Sequence, residues 1–146
     1  MRALFLAVAM AAVACAGLVP TASAEAPGTV TIAGTVTQFG LPPEFQGTWQ
    51  SSGAISDAGT FVETALHLTG ADFQPSAPVG TFQAVIVFPG SRGTFTIAQQ
   101  GVSTGLPAGT WQVLSGTLDY ARASGHGTFA FTPPTNLTFT GVMSKA

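Results

Sequence analysis

Charge is scarce in this chain, cysteine scarcer still, and helical patterning is missing. Lys, Arg, Asp and Glu make up 7% of the residues, against about 25% in an average soluble protein. The single cysteine, Cys15, falls in the apolar leader. A chain beginning at Glu25 therefore has no disulfide and no thiolate chemistry, and its core must hold it together. In that part Arg92, Arg122 and Lys145 face Glu25, Glu44, Asp57, Glu63, Asp72 and Asp119, a net charge of −3. This balance argues against a nucleic-acid partner, which needs a basic patch. It also argues against attraction to an anionic membrane surface. Beyond the leader, no segment repeats its apolar residues with the 3.6 period of an amphipathic helix.

Catalytic and cofactor signatures are missing too. No G-x-S-x-G elbow is present, and no serine has an evident His and Asp partner. The Gly-rich turns lack the Lys and helix of a phosphate loop. His67 and His126 stand alone and the carboxylates are scattered, so no metal site is readable and no cofactor is expected. Asn136-Leu137-Thr138 fits a glycosylation sequon but reads as strand in a chain with a bacterial-looking leader.

The leader itself is informative. Arg2 supplies a positive start, residues 3–16 an Ala-rich apolar run, and Pro20 a break before the A-x-A site Ala22-Ser23-Ala24. The expectation is a signal peptide over residues 1–24, cleaved before Glu25, and secretion of one domain over residues 25–146. The apolar run is shorter than the ~20 residues a membrane span needs, so no stable membrane insertion is expected after cleavage. The alternative is a lipoprotein anchored at Cys15, but Ala12-Val13-Ala14 offers no Leu three residues before the cysteine.

What the chain does have is a repeated phrase, Gly-Thr-apolar, running from Gly28-Thr29-Val30 to Gly127-Thr128-Phe129. β-branched and aromatic residues punctuated by Gly favour short strands over helices. Eight strands can be drawn, roughly 28–38, 47–56, 59–69, 80–88, 92–101, 109–118, 125–132 and 136–143. Alternation assigns an inner face. It takes Val30, Ile32, Val36, Trp49, Ile55, Val62, Leu66, Leu68, Phe82, Ile86 and Phe88 from the first half. From the second it takes Phe95, Ile97, Trp111, Val113, Phe129, Phe131, Leu137, Phe139 and Met143. One apolar face per strand and short turns predict an all-β, eight-stranded up-and-down antiparallel barrel, with a β-sandwich as the alternative. Three longer Gly/Pro-rich loops, 40–46, 70–79 and 101–108, follow strands one, three and five, so they gather at one mouth. There small barrels admit ligands.

From Arg92 to Phe131 the chain reads RGTFTIAQQG and then GTWQVLSGTLDYARASGHGTF. This run resembles the allene-oxide-cyclase-like barrel group, calycin-like in architecture. GTWQSSGAISDAGTFVET resembles a phrase of its uncharacterised exported actinobacterial members. The resemblance covers about 40 residues well and rests on turn and packing positions. It implies an eight-stranded barrel with a central apolar cavity. One departure is Leu118, where the group carries Gly before the Asp119 position. No cyclase catalytic residue maps onto a matching motif, so the activity is not carried over. Gly47-Thr48-Trp49 is also similar to the first strand of avidin-like biotin binders, without their ligand-contacting pattern downstream.

Few polar residues invite chemistry. Glu63 and His67 lie about 13 Å apart along one strand, at ~3.3 Å per residue. Opposite Val62, Leu66 and Leu68, they are expected in solvent, although a bulge would turn them inward as an acid/base pair across a cavity. Asp119, Tyr120 and Arg122 occupy the turn before strand seven, either capping the backbone and closing the barrel end or serving as hydrogen-bonding groups at a cavity rim. His126 is expected on the surface.

The functional expectation is a secreted barrel that binds a small apolar molecule against Trp49, Phe82, Phe95, Trp111, Phe129 and Tyr120. Glu63, His67 and Asp119 are its candidate polar groups. A cyclase or isomerase that folds a flexible apolar substrate is the first alternative. A cell-envelope or protein-interaction module is the second.

Overall fold

The inner-face alternation becomes eight antiparallel strands in the structure, a computed structural model that describes residues 26–69, 80–103 and 105–145. They are β1 (Gly28–Gln38), β2 (Gln46–Gly53), β3 (Ala58–Thr69), β4 (Thr81–Gly90), β5 (Gly93–Val102), β6 (Ala108–Gly116), β7 (Ser124–Thr132) and β8 (Asn136–Ser144). Each strand pairs with the next in sequence, and β8 returns to pair with β1, closing the barrel. Closure matters because an open sheet of this composition would leave an uncharged edge ready to pair with another chain. The leader 1–24 and the loop 70–79 lie outside the described residues.

Two different ends result from this topology. The β1–β2, β5–β6 and β7–β8 connections lie at one end, the mouth. The β2–β3, β4–β5 and β6–β7 connections lie at the other, the closed end, with a single 3-10 turn over Leu118–Tyr120. Ile55, which the sequence places in the second strand, follows the strand instead and is buried in the closed-end connection.

Aromatic rings run through the barrel almost from end to end. Phe39 meets Phe45, Phe45 meets Phe61 and Phe61 meets Phe88, at centroid separations of 6.0, 6.0 and 5.9 Å. Phe88 stacks on Phe95 at 4.9 Å, and Phe95 meets Tyr120 at 5.2 Å and Trp49 at 5.3 Å. Edge-to-face and offset pairs of this kind add about 0.5–1.5 kcal/mol each beyond their buried area. The Gly-Thr-aromatic phrase makes room for them. Gly47 and Trp49 both face inward while Thr48 faces out, and a Cβ on Gly47 would sit 2.7 Å from the Phe61 ring. That glycine is needed for space, since its backbone is not among those with positive φ.

One inner-face expectation fails. Val62 is half-buried and outside the core, whereas its neighbours Phe61 and Glu63 point inward. The β3–β4 register slips between Glu63 and Ala65. An extra residue there inverts the side-chain phase, so Leu66 and Leu68 face inward as read but everything before the bulge is reversed.

Candidate functional site

At the mouth the barrel interior is not filled. A cup of about 340 Å³ is walled by Glu63 and Leu66 of β3, Phe82 of β4, Gln99 of β5, Phe129 and Phe131 of β7 and Leu137 of β8. Phe39, Gly40, Leu41 and Phe45 from the β1–β2 loop and Gly105, Leu106 and Pro107 from the β5–β6 loop complete it. Two of the three loops expected at one mouth are thus there, and the third, 70–79, lies outside the described residues. Small-molecule sites have this character, concave and mostly apolar with a few convergent polar groups.

The polar groups of the cup are Glu63 and Gln99, exposed by only 6% each. The bulge carries Glu63 inward. Gln99 arrives by plain alternation, because Phe95, Ile97 and Gln99 occupy successive inward positions of β5. Among the described residues, no donor or cation reaches the Glu63 side chain, and burial in the apolar wall pushes its carboxyl up to about 7. The buried Gln99 Oε1 has no hydrogen-bond partner among the described residues. Buried polar atoms are nearly always satisfied, and an orphaned acceptor costs about 1–3 kcal/mol. Such an atom in a cup wall calls for a donor from outside the protein.

The opposite end holds a second buried carboxylate in the reverse condition. Asp57 Oδ1 accepts from the Ala58 N–H at 2.8 Å, the Ser91 N–H at 3.0 Å and the Ser91 hydroxyl. Its Oδ2 accepts from the Tyr120 hydroxyl at 2.7 Å and the Arg92 N–H at 3.2 Å. Burial pushes this carboxyl up, but the hydrogen bonds from Ser91, Tyr120, Ala58 and Arg92 outweigh it and hold the group at about 2. Burial, with the Asp57 carboxylate beside it, raises the Tyr120 hydroxyl well above the usual phenol range. The cluster ties all three closed-end connections together, so it is a structural latch.

The sequence-derived candidates are therefore divided between the two ends. Phe82, Phe129 and Glu63 line the cup. Trp49, Phe95 and Tyr120 pack at the closed end, and Trp111 is buried in the core with its indole N–H donating to Thr128 O at 3.1 Å. Tyr120 closes the barrel end, but its acidic partner is Asp57. Asp119 is exposed and lies 4.0 Å from Arg92, a surface pair worth little. His67 and His126 are exposed and border an outer-face groove of about 620 Å³, with Gln83, Gln100, Thr110 and Gln112 between them. Glu63 and His67 thus lie on opposite faces of β3 and form no pair.

Among the described residues, no three His, Cys, Asp or Glu side chains gather where they could hold a metal. Comparison with protein-family models, curated proteins and solved structures finds no match for this chain.

Gln99 is absent from the inner face drawn from the apolar residues, although it shares the phase of Phe95 and Ile97. Glu63 was legible from the Gly59-Thr60-Phe61 phrase. If Phe61 drops inward as Trp49 does, Glu63 follows it, and the clash with the Leu66 and Leu68 phase is itself the mark of a bulge.

Proposed function

We propose that this chain is an exported barrel that holds one small, largely apolar molecule in the cup at its mouth. The observation that carries this reading is a pair of buried polar groups in an otherwise apolar wall, Glu63 and Gln99, with Gln99 Oε1 lacking a hydrogen-bond partner among the described residues. A barrel meant only to be packed would fill this end as it fills the other. Thr29, Thr31, Thr48, Thr128 and Thr140 on outward positions support a water-facing barrel, the reverse of the apolar-out pattern of membrane barrels.

A second reading is favoured by one observation. A carboxyl near 7 inside an apolar cup has the proton affinity of a general acid or base, as a cyclase or isomerase acting on an apolar substrate would need. A module acting through its outer face has less support, since it leaves the cup without a role.

The test is native mass spectrometry of protein collected from culture medium, paired with an apolar-dye titration. A bound small molecule, or dye uptake lost in Leu66→Trp while the fold is kept, is the expected result. Equal dye uptake by the parent and by Leu66→Trp would remove the cup from consideration. A bound compound that emerges chemically altered, with the alteration stopped by Glu63→Gln, decides for the second reading.

A further inference from the structure

We propose that the cup takes its ligand head first, as an apolar molecule ending in one hydroxyl, an alcohol or phenol, whose O–H points at Gln99 Oε1 and whose oxygen faces the Glu63 carboxyl. This deepens the binding reading and rests on it.

The placement follows from the register. Glu63 pairs with Ile86, and Gln99 pairs with Ala84, so the two polar residues flank β4 one pleat step apart. Two strand spacings, about 10 Å at ~4.8 Å each, and a two-residue offset of ~6.6 Å put their backbones about 12 Å apart. Both side chains point into the barrel, and Ala84 between them is too short to fill the gap. A head group seated there meets one buried acceptor and one carboxyl.

Counting donors and acceptors selects the head. A hydroxyl has one hydrogen to give and lone pairs to receive one. Gln99 Oε1 takes the first and a protonated carboxyl supplies the second, so the hydroxyl uses both its hydrogen and a lone pair. An ammonium brings three donors to two acceptors and requires an ionised Glu63 in the apolar wall, an ion pair whose desolvation offsets its attraction. A carboxylate has no hydrogen for Gln99 Oε1 and sets a second acid beside Glu63. Burial holds the Glu63 proton up to about pH 7, which keeps it available as the donor. Among the described residues, those lining the cup with it include Phe82 from β4, Gln99 from β5, Phe129 from β7, Leu137 from β8, and Phe45 and Leu106 from the loops, and none of these titrates. Glu44, on the rim loop, is exposed. The tail of the ligand leaves past Phe39, Leu41 and Leu106, large apolar residues exposed at the rim.

The experiment compares three probes with one tail, decanol, decylammonium and decanoate, by displacement of an apolar dye from the secreted protein at pH 6. Decanol is expected to bind about tenfold or more tightly than either ion, the scale of two ordinary hydrogen bonds. Raising the pH from 6 to 8.5 weakens decanol, because Glu63 loses the proton it donates, and Glu63→Gln abolishes this pH dependence. Gln99→Leu weakens decanol about fivefold, one hydrogen bond. If that variant does not fold, Gln99→Met replaces it, and the head-group order in the parent protein stands as a test by itself. Equal binding of the three probes, or tightest binding of either ion, overturns the hydroxyl inference and leaves the cup reading intact. Displacement by none of them, with no dye uptake, overturns both.

Discussion

Among the described residues each end of the barrel buries one carboxylate, and the two are handled in opposite ways. Asp57 at the closed end receives five hydrogen bonds from three connections and is held at about 2. Glu63 at the mouth receives none from the described residues and is pushed up by burial to about 7. Both are nearly inaccessible, at 8% and 6% exposure, so burial alone does not decide a carboxyl's behaviour. What decides it is whether the surrounding backbone turns its N–H groups toward the acid. The closed end, built of tight turns with free N–H groups, does so. Glu63 instead projects from a strand, and strand N–H groups lie in the plane of the sheet rather than toward the barrel interior. One acid therefore stabilises the fold, and the other is left for something the fold does not contain.

Packing offers the first way to break this comparison. Phe95→Ala, which removes the ring stacked on Phe88 and touching Trp49 and Tyr120, is expected to cost about 3–5 kcal/mol. Phe82→Ala at the cup wall is expected to cost roughly half as much, since its site already borders empty space. Urea unfolding of the pair reads the difference, and equal losses would mean that the mouth is packed as tightly as the closed end.

The two acids provide the second. Glu63 is bound to its proton more tightly in the fold than in the unfolded chain. Its contribution is therefore fully present below the model-peptide value of 4.5 and is lost as pH rises through about 7. The loss totals about 3 kcal/mol at 1.36 kcal/mol per unit. Asp57 runs the other way, contributing above 3.8 and losing its contribution as pH falls toward 2. Stability is expected to be greatest near pH 4–5 and to decline toward neutrality. In Glu63→Gln the decline between about 5 and 7 should disappear while the acid limb stays. A parent protein with flat stability from pH 4.5 to 8 would refute the assignment of Glu63.

A smaller effect sharpens the latch. Tyr120→Phe removes one of the donors to Asp57 and is expected to cost about 1.5–3 kcal/mol, the value of a hydrogen bond to a charged group. It should also move the acid limb of the stability curve to higher pH, because fewer donors then favour the ionised form. Thermal melts at pH 3 and pH 6 would detect both, and an unshifted acid limb would assign the low value of Asp57 to its other donors.

The smallest effect concerns backbone. Leu118 is the only non-glycine among the described residues with positive φ, at 52°, and its side chain is 80% exposed. A left-handed conformation costs a non-glycine residue roughly 1–2 kcal/mol, and an exposed Leu recovers little of that by packing. Leu118→Gly is expected to stabilise the protein by about 1 kcal/mol, after the entropy Gly loses on folding. A destabilised variant would show that Leu118 is held by contacts this geometry does not reveal.

The pattern of residues by itself determined the architecture. Eight runs with one apolar face, separated by Gly- and Pro-rich turns, leave few alternatives to a closed meander, because each strand has to bury that face and pair both its edges. It also determined most of the core, from Val30 to Met143, since a period of two is a local property. Two features could be settled only in three dimensions. The first is the direction in which Glu63 points. A single extra residue at the bulge inverts the phase, and where it sits depends on which partner in β4 each residue of β3 meets. The second is the division into a latched end and a hollow one. That rests on whether side chains from eight strands add up to fill a cross-section, as they do around Phe88 and Phe95. Beside Ala84 they do not, and no stretch of sequence records that volume.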